Sequence, residues 1–347
     1  MRRTRSFIVA LLLALAVLFP GSAAQADSDS KGEVVVANRA SGSISIIDVQ
    51  THQLIDTLAL PADDNLPEPM YVVFVNEANR VFVGDRANSR VVVYDATDYS
   101  VVDTVETGAG VFHMWADDRG RFLWVNNDMD KTATVIDPLT LNVIATVAMP
   151  ADLVAEGYIP HDVILDPMGR FAYVTMLGGA GPNDFLVQFS TDTFEEVNRV
   201  EAGQDPHVSL TQNNKLIFVP AQGSNTVFVF NRYTLELVEE IAVPGAHGAW
   251  MSPNGQVFYT SNLPGGGTDG LFAIDTRTNT VMGSSDTPYP VPHNIVITKD
   301  KTLFLTHSGG TSDKVTIYSV SVASPIPVLI DEVNVGFNPF GLAYVPK

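Results

Sequence analysis

The chain has 347 residues, 46% of them hydrophobic, with 20 Lys+Arg against 39 Asp+Glu and a formal net charge of −19. The absence of Cys excludes a disulfide scaffold, a zinc ribbon and a thiol nucleophile. The acidic excess argues against nucleic acid or anionic membrane as a partner.

Arg2, Arg3 and Arg5 precede the apolar run Phe7 to Phe19, a breaker at Pro20-Gly21 and the small-residue tripeptide Ala24-Gln25-Ala26. That order is a secretory signal's, and the apolar run falls short of the roughly 20 residues a membrane-spanning helix needs. The expectation is a signal over 1–26 and a single domain over 27–347. The mature protein is then periplasmic or secreted, a monomer, and not inserted in the membrane.

From residue 34 onward one plan recurs. An apolar strand ends in small or polar residues: Val34 to Asn38, Val81 to Asp85, Leu123 to Asn127, Ala172 to Met176, Ile217 to Ala221, Val257 to Ser261 and Leu303 to His307. A second strand often ends in Asp, as in Ile44 to Asp48, Val91 to Asp95, Thr134 to Asp137 and Leu271 to Asp275. A polar turn and a third strand follow, such as Gln53 to Leu60. Val and Ile inside the strands, with turn residues between them, are the strand signature.

Ahead of each unit lies a short strand opened by Gly or Pro, at Pro69-Met70, Phe112-His113, Pro160-His161, Pro206-His207, Ala246-His247, Pro292-His293 and Pro339-Phe340. Four strands every 40–45 residues is the period of a propeller blade. The N-terminal segment Gly32 to Leu60 supplies three strands and Pro339 to Val345 a lone first strand. The fold class is therefore all-β: a seven-bladed β-propeller of four-stranded blades, closed by a C-terminal first strand joining three N-terminal strands. Closure removes the sheet edges that invite aggregation.

These repeats resemble the YVTN-type β-propeller repeat. The echoes are Asp166-Pro167-Met168-Gly169-Arg170 before Ala172-Tyr173-Val174-Thr175, and Ser252-Pro253-Asn254-Gly255 before Phe258-Tyr259-Thr260-Ser261-Asn262. The resemblance implies an architecture rather than an activity, because such repeats serve many functions.

The residue opening each first strand is, in chain order, Met70, His113, His161, His207, His247, His293 and Phe340. In a propeller these strands line the axis, so the five His should converge at one channel mouth, opposite a less polar sector of Met70 and Phe340. His307, ending a second strand on that face, is a sixth candidate. One reading is descent from a His-bearing repeat, with each ring bonded to loop backbone. A second is metal ligation by His113, His161, His207, His247, His293 and His307: several imidazoles without thiolate suit a transition metal, copper foremost, with iron or zinc as alternatives. A third is an acid, base or anion site without metal.

Trp115 and Trp250 read as core. Asp85, Asn127, Asp128 and Asp130 read as turn residues, and His52 as an outer turn residue. The functional expectation is an exported metalloprotein, an oxidoreductase if catalytic, taking a small-molecule or envelope ligand at the top face. The alternative is a non-catalytic binding propeller of the cell envelope. A resemblance to propeller lactonases or lyases, which use a hard ion or His as base, ranks third.

Overall fold

The computed structural model describes residues 32–207, 209–210, 215–321 and 323–347. The signal expected over 1–26 lies outside the described residues. Among the described residues no helix is long and apolar enough to cross a membrane.

Seven four-stranded antiparallel sheets make up the fold. Their innermost strands are Pro69–Val75, Val111–Ala116, Ile159–Leu165, Ser209–Leu210, Ala246–Met251, Pro292–Ile297 and Pro339–Pro346. The first blade is closed as expected: Pro339–Pro346 pairs with Gly32–Asn38, which continues through Ser43–Asp48 to Leu54–Ala59.

Strand Gly32–Asn38 shows why the middle strands read as unbroken apolar runs. Val34 and Val36 pack against Val296 and Phe304 of the preceding blade. Val35 and Ala37 pack against Val72, Val81 and Val83 of the following blade. Both faces of a middle strand are covered, so alternation toward solvent is lost. The outermost strand Leu54–Ala59 is almost wholly exposed and alternates only weakly.

The Asp residues at the ends of strands Ser43–Asp48 and Thr132–Ile136 cap the next turn. Asp48 Oδ1 accepts from the backbone N–H of Gln50 and Thr51 at 3.0 and 2.7 Å. Asp137 Oδ1 does the same for Leu139 and Thr140. A carboxylate that mimics the next backbone acceptor fixes a tight turn, and His52 sits in the first of these at φ 57.

Six innermost strands carry a bulge at their entrance. In blade four the pairing jumps from Pro160↔Met176 to Val163↔Val174, leaving His161 and Asp162 unpaired. The same jump frees Met70 and Tyr71, Phe112 and His113, His247 and Gly248, His293 and Asn294, and Phe340 and Gly341. A bulge re-aims side chains that a regular strand would send to opposite faces. Each of these blades therefore offers the axis two consecutive residues.

A ring of imidazoles and aromatics at the axis

The two bulge positions form two tiers. The outer tier holds Met70, Phe112, His161, His247, His293 and Phe340, joined by His207 from blade five. Ring centroids separate Phe112 from His161 by 4.4 Å, His161 from His207 by 5.0 Å and His207 from His247 by 3.7 Å. The chain of contacts continues from His247 to His293 at 4.6 Å, to Phe340 at 4.3 Å and back to Phe112 at 6.2 Å. Residues more than 220 positions apart in sequence, such as Phe112 and Phe340, thus meet around one hub.

The less polar sector is present, with Met70, Tyr71 and Phe340 in one buried cluster. Arg39 lies over the Phe340 ring and Arg86 over Phe112, each ion-paired, to Glu68 and Asp128.

The second tier differs from the sequence expectation. The bulge register makes Phe112, not His113, the counterpart of His161. His113 stands one position deeper, equivalent to Tyr71 and Asp162. Its Nδ1 accepts the Val163 backbone N–H at 3.2 Å, so the proton of the neutral ring sits on Nε2 and neither nitrogen is free to ligate. Burial pushes its pKa down, against the attraction of Asp162.

His307 does not join the arc. It is fully buried within its blade, its Nδ1 donating to Pro290 O at 3.2 Å and its Nε2 bonded to Thr316 Oγ1 at 2.8 Å. Burial holds its pKa down at about 4.

Second strands orient this ring across blade boundaries. Asn126 Nδ2 donates to His161 O at 3.0 Å, Ser261 Oγ to His293 O at 2.8 Å and Thr306 Oγ1 to Phe340 O at 2.9 Å. The polar residues ending the apolar strands are therefore a scaffold for the neighbouring ring residue. Gly248 serves the same end by absence: a Cβ there would stand 1.7 Å from His293 O.

Asp162 is the electrostatic centre, and sequence reasoning missed it. Its Oδ2 lies 3.2 Å from His207 Nδ1 and its Oδ1 lies 3.1 Å from His161 Nδ1. Burial works against its charge, but the attraction of His113 and His207 holds its carboxyl well below the usual range. Burial likewise opposes a charged His207. Asp162, helped by Asp205, outweighs it and pushes the pKa up to about 9.

His247 is the reverse case. Burial and the adjacent His207 charge hold its pKa well below the ordinary value, and its Nδ1 finds no partner. His293 is held down at about 3, chiefly by burial, and its Nδ1 accepts from Asn294 Nδ2 at 2.9 Å.

Below the ring runs an axial cavity of about 550 Å³. Its head is the second tier of Tyr71, His113, Asp162 and Asn294, with His207 and His247 from the first. Trp115 and Trp250 pack against core clusters as expected, and they also line this cavity, with centroids 5.6 Å apart. Among the described residues, the set able to hold an ion is His161, Asp162 and His207, whose ligand atoms lie within 4.8 Å of one another.

Comparison with known proteins defines the class. Residues 20–247 match the family described as lactonase, 7-bladed beta-propeller, and the chain belongs to that family. No curated protein matches. Among solved structures, the periplasmic gluconolactonase of Pseudomonas aeruginosa has a TM-score of 0.72 at 16% identity, covering 91% of this chain and 99% of that one. A candidate 6-phosphogluconolactonase from Bacteroides uniformis has a TM-score of 0.69 at 18% identity, covering 91% and 100%. Hydrazine synthase of Kuenenia stuttgartiensis has a TM-score of 0.64 at 16% identity, covering 83% and 98%. At such identities the likeness is one of fold.

Family membership corrects the functional expectation. Lactonases hydrolyse an ester and move no electrons, so the copper oxidoreductase gives way to a hydrolase family, and the non-catalytic envelope platform gives way to an enzyme family. The reading ranked third on sequence grounds is the one the family supports.

Proposed function

We propose that the protein is an exported lactonase that opens a lactone ring at the head of the axial cavity, with His247 as general base and His207 as the cation that stabilises the oxyanion. The observation that carries this is the juxtaposition at 3.7 Å of two imidazoles lining one cavity, His207 bonded to Asp162 and His247 with an unpartnered Nδ1, with the first pKa raised and the second lowered. Neighbouring groups whose environments drive their pKa values apart are the usual mark of an acid and base assignment.

His247 takes a proton as the water oxygen attacks the lactone carbonyl. The oxyanion forms beside the His207 cation in a buried site, where a fixed charge acts most strongly. That negative charge offsets the repulsion between His207 and His247, so the base strengthens as the transition state forms. Collapse breaks the bond from the carbonyl carbon to the ring oxygen. His247 returns its proton to that oxygen, and the product is an open hydroxy acid. Asp162 holds His207 charged and oriented.

Export is supported by the basic, apolar and Ala-Gln-Ala order of the first 26 residues and by a neighbour that is itself periplasmic. The YVTN-type repeat is kept as the reading of the blade pattern.

The test is pH-stat titration of acid release from a panel of five- and six-membered lactones. The wild-type protein is expected to turn over at least one, and His247→Gln to lower kcat about 10²–10⁴-fold. A wild type inert on all of them, or an undiminished His247→Gln, contradicts the proposal. Turnover abolished by chelation and restored by a transition metal would replace the His-pair mechanism with an ion held by His161, Asp162 and His207.

A further inference from the structure

The cavity is ill suited to the charged and hydroxylated lactones named in its structural neighbours. Among the described residues that line it there is no Arg and no Lys. Its carboxylates are Asp162 at the head and Glu77, Asp117 and Asp118 at the far end, of which Asp117 is paired with Arg121. A phosphate monoester carries about −1.5 to −2 charges at neutral pH and would meet His207 as its one counter-charge in the cavity.

Sugar hydroxyls fare little better. The lining amides and phenols, Asn76, Asn294, Tyr71 and Tyr344, lie toward the two ends of the cavity rather than along its middle, and a buried hydroxyl left unpaired between them is costly. Between the two polar ends the wall is Val73, Val75, Trp115, Trp250, Ile295 and Leu342. An apolar wall with a few polar groups gathered at one end fixes the head of an otherwise greasy ligand.

We infer that the substrate is an uncharged lactone bearing an alkyl chain, its ring at His207 and His247 and its chain running down the axis along the wall that the touching Trp115 and Trp250 rings form. This inference rests on the lactonase reading above and narrows it. A volume of about 550 Å³ accommodates a small ring with a chain of several carbons.

The experiment measures kcat/KM for a series of δ-lactones with side chains from none to eight carbons, beside gluconolactone and its 6-phosphate. The expected rise is about two- to fourfold per methylene until the cavity is full, with both sugar lactones at least about 100-fold below the best alkyl lactone. Trp250→Ala should flatten the chain-length dependence, lowering kcat/KM most for the longest chain, since it removes chain contacts and not the reacting groups.

A flat series with gluconolactone as the best substrate overturns the inference and leaves the lactonase reading standing. Preference for the 6-phosphate overturns it too, and moves the substrate to the outer face under Arg39 and Arg86. No turnover of any lactone overturns both readings.

Discussion

His207 and His247 lie with ring centroids 3.7 Å apart, and their surroundings drive their pKa values in opposite directions. His207 is bonded to Asp162 and raised to about 9, while His247 has burial and the His207 charge against it. Two imidazoles that close cannot both be charged, and the carboxylate decides which one is.

The rate profile follows from this pair. Turnover requires protonated His207 and neutral His247, so kcat should stay level through neutrality and fall as pH rises through about 9. The acid limb should lie well below pH 6.5, because the His247 pKa is lowered. A profile that rises steadily with pH, as hydroxide attack alone would give, contradicts the assignment.

Asp162→Asn should move that alkaline limb downward. Without the carboxylate, burial dominates and His207 becomes neutral. The expected result is loss of the plateau near pH 7 and a kcat decrease of about 10²-fold or more. Stability should fall by about 3–5 kcal/mol, as when one partner of a buried pair is removed, read by denaturant unfolding at pH 7.

Stability should also depend on pH with opposite signs on either side of neutrality. His207 has a folded pKa above its unfolded 6.5, so its contribution is complete below 6.5 and is lost as pH rises through about 9, in all about 3 kcal/mol. His293 and His307 are depressed to about 3 and about 4. Their contribution is present above 6.5 and lost as pH falls, at up to about 1.4 kcal/mol per pH unit each. Thermal unfolding should give a maximum Tm near pH 6–7, and His207→Gln should remove the alkaline decline. An alkaline decline unchanged in that variant contradicts the ion pair.

The architecture was legible because stacking blades impose a period on the chain. Apolar runs such as Val81 to Asp85 mark middle strands covered on both faces, and the split blade was readable from three strands at one end and one at the other. The axial site was legible at four of its members, His161, His207, His247 and His293. The bulge hid the rest. It turns two neighbours inward, so Asp162, Tyr71 and Asn294 are masked by the residue before them, and His113 reads in sequence as the counterpart of His161 although Phe112 holds that place. His307 misled because strand ends on one face look alike in sequence, whereas its bonds to Pro290 and Thr316 turn it into the blade. Protonation states were beyond reach, since they depend on which carboxylate the bulge delivers.

Gly248→Ala tests the packing of the ring. A Cβ at 1.7 Å from His293 O forces the sixth and seventh blades apart. The cost should be about 1–3 kcal/mol, a drop in Tm of about 2–4 °C per kcal/mol for a chain of this size. A variant as stable as wild type would mean that the two inner strands are not in this contact.

The most direct measurement is an NMR titration of the protein with isotope-labelled imidazoles, assigned with His207→Gln and His247→Gln. The account predicts one ring, His207, remaining charged until about pH 9, beside a His247 ring that stays neutral well below pH 6.5. Both rings titrating together near the ordinary histidine value would contradict it, since no shared acid–base centre would then exist at the axis.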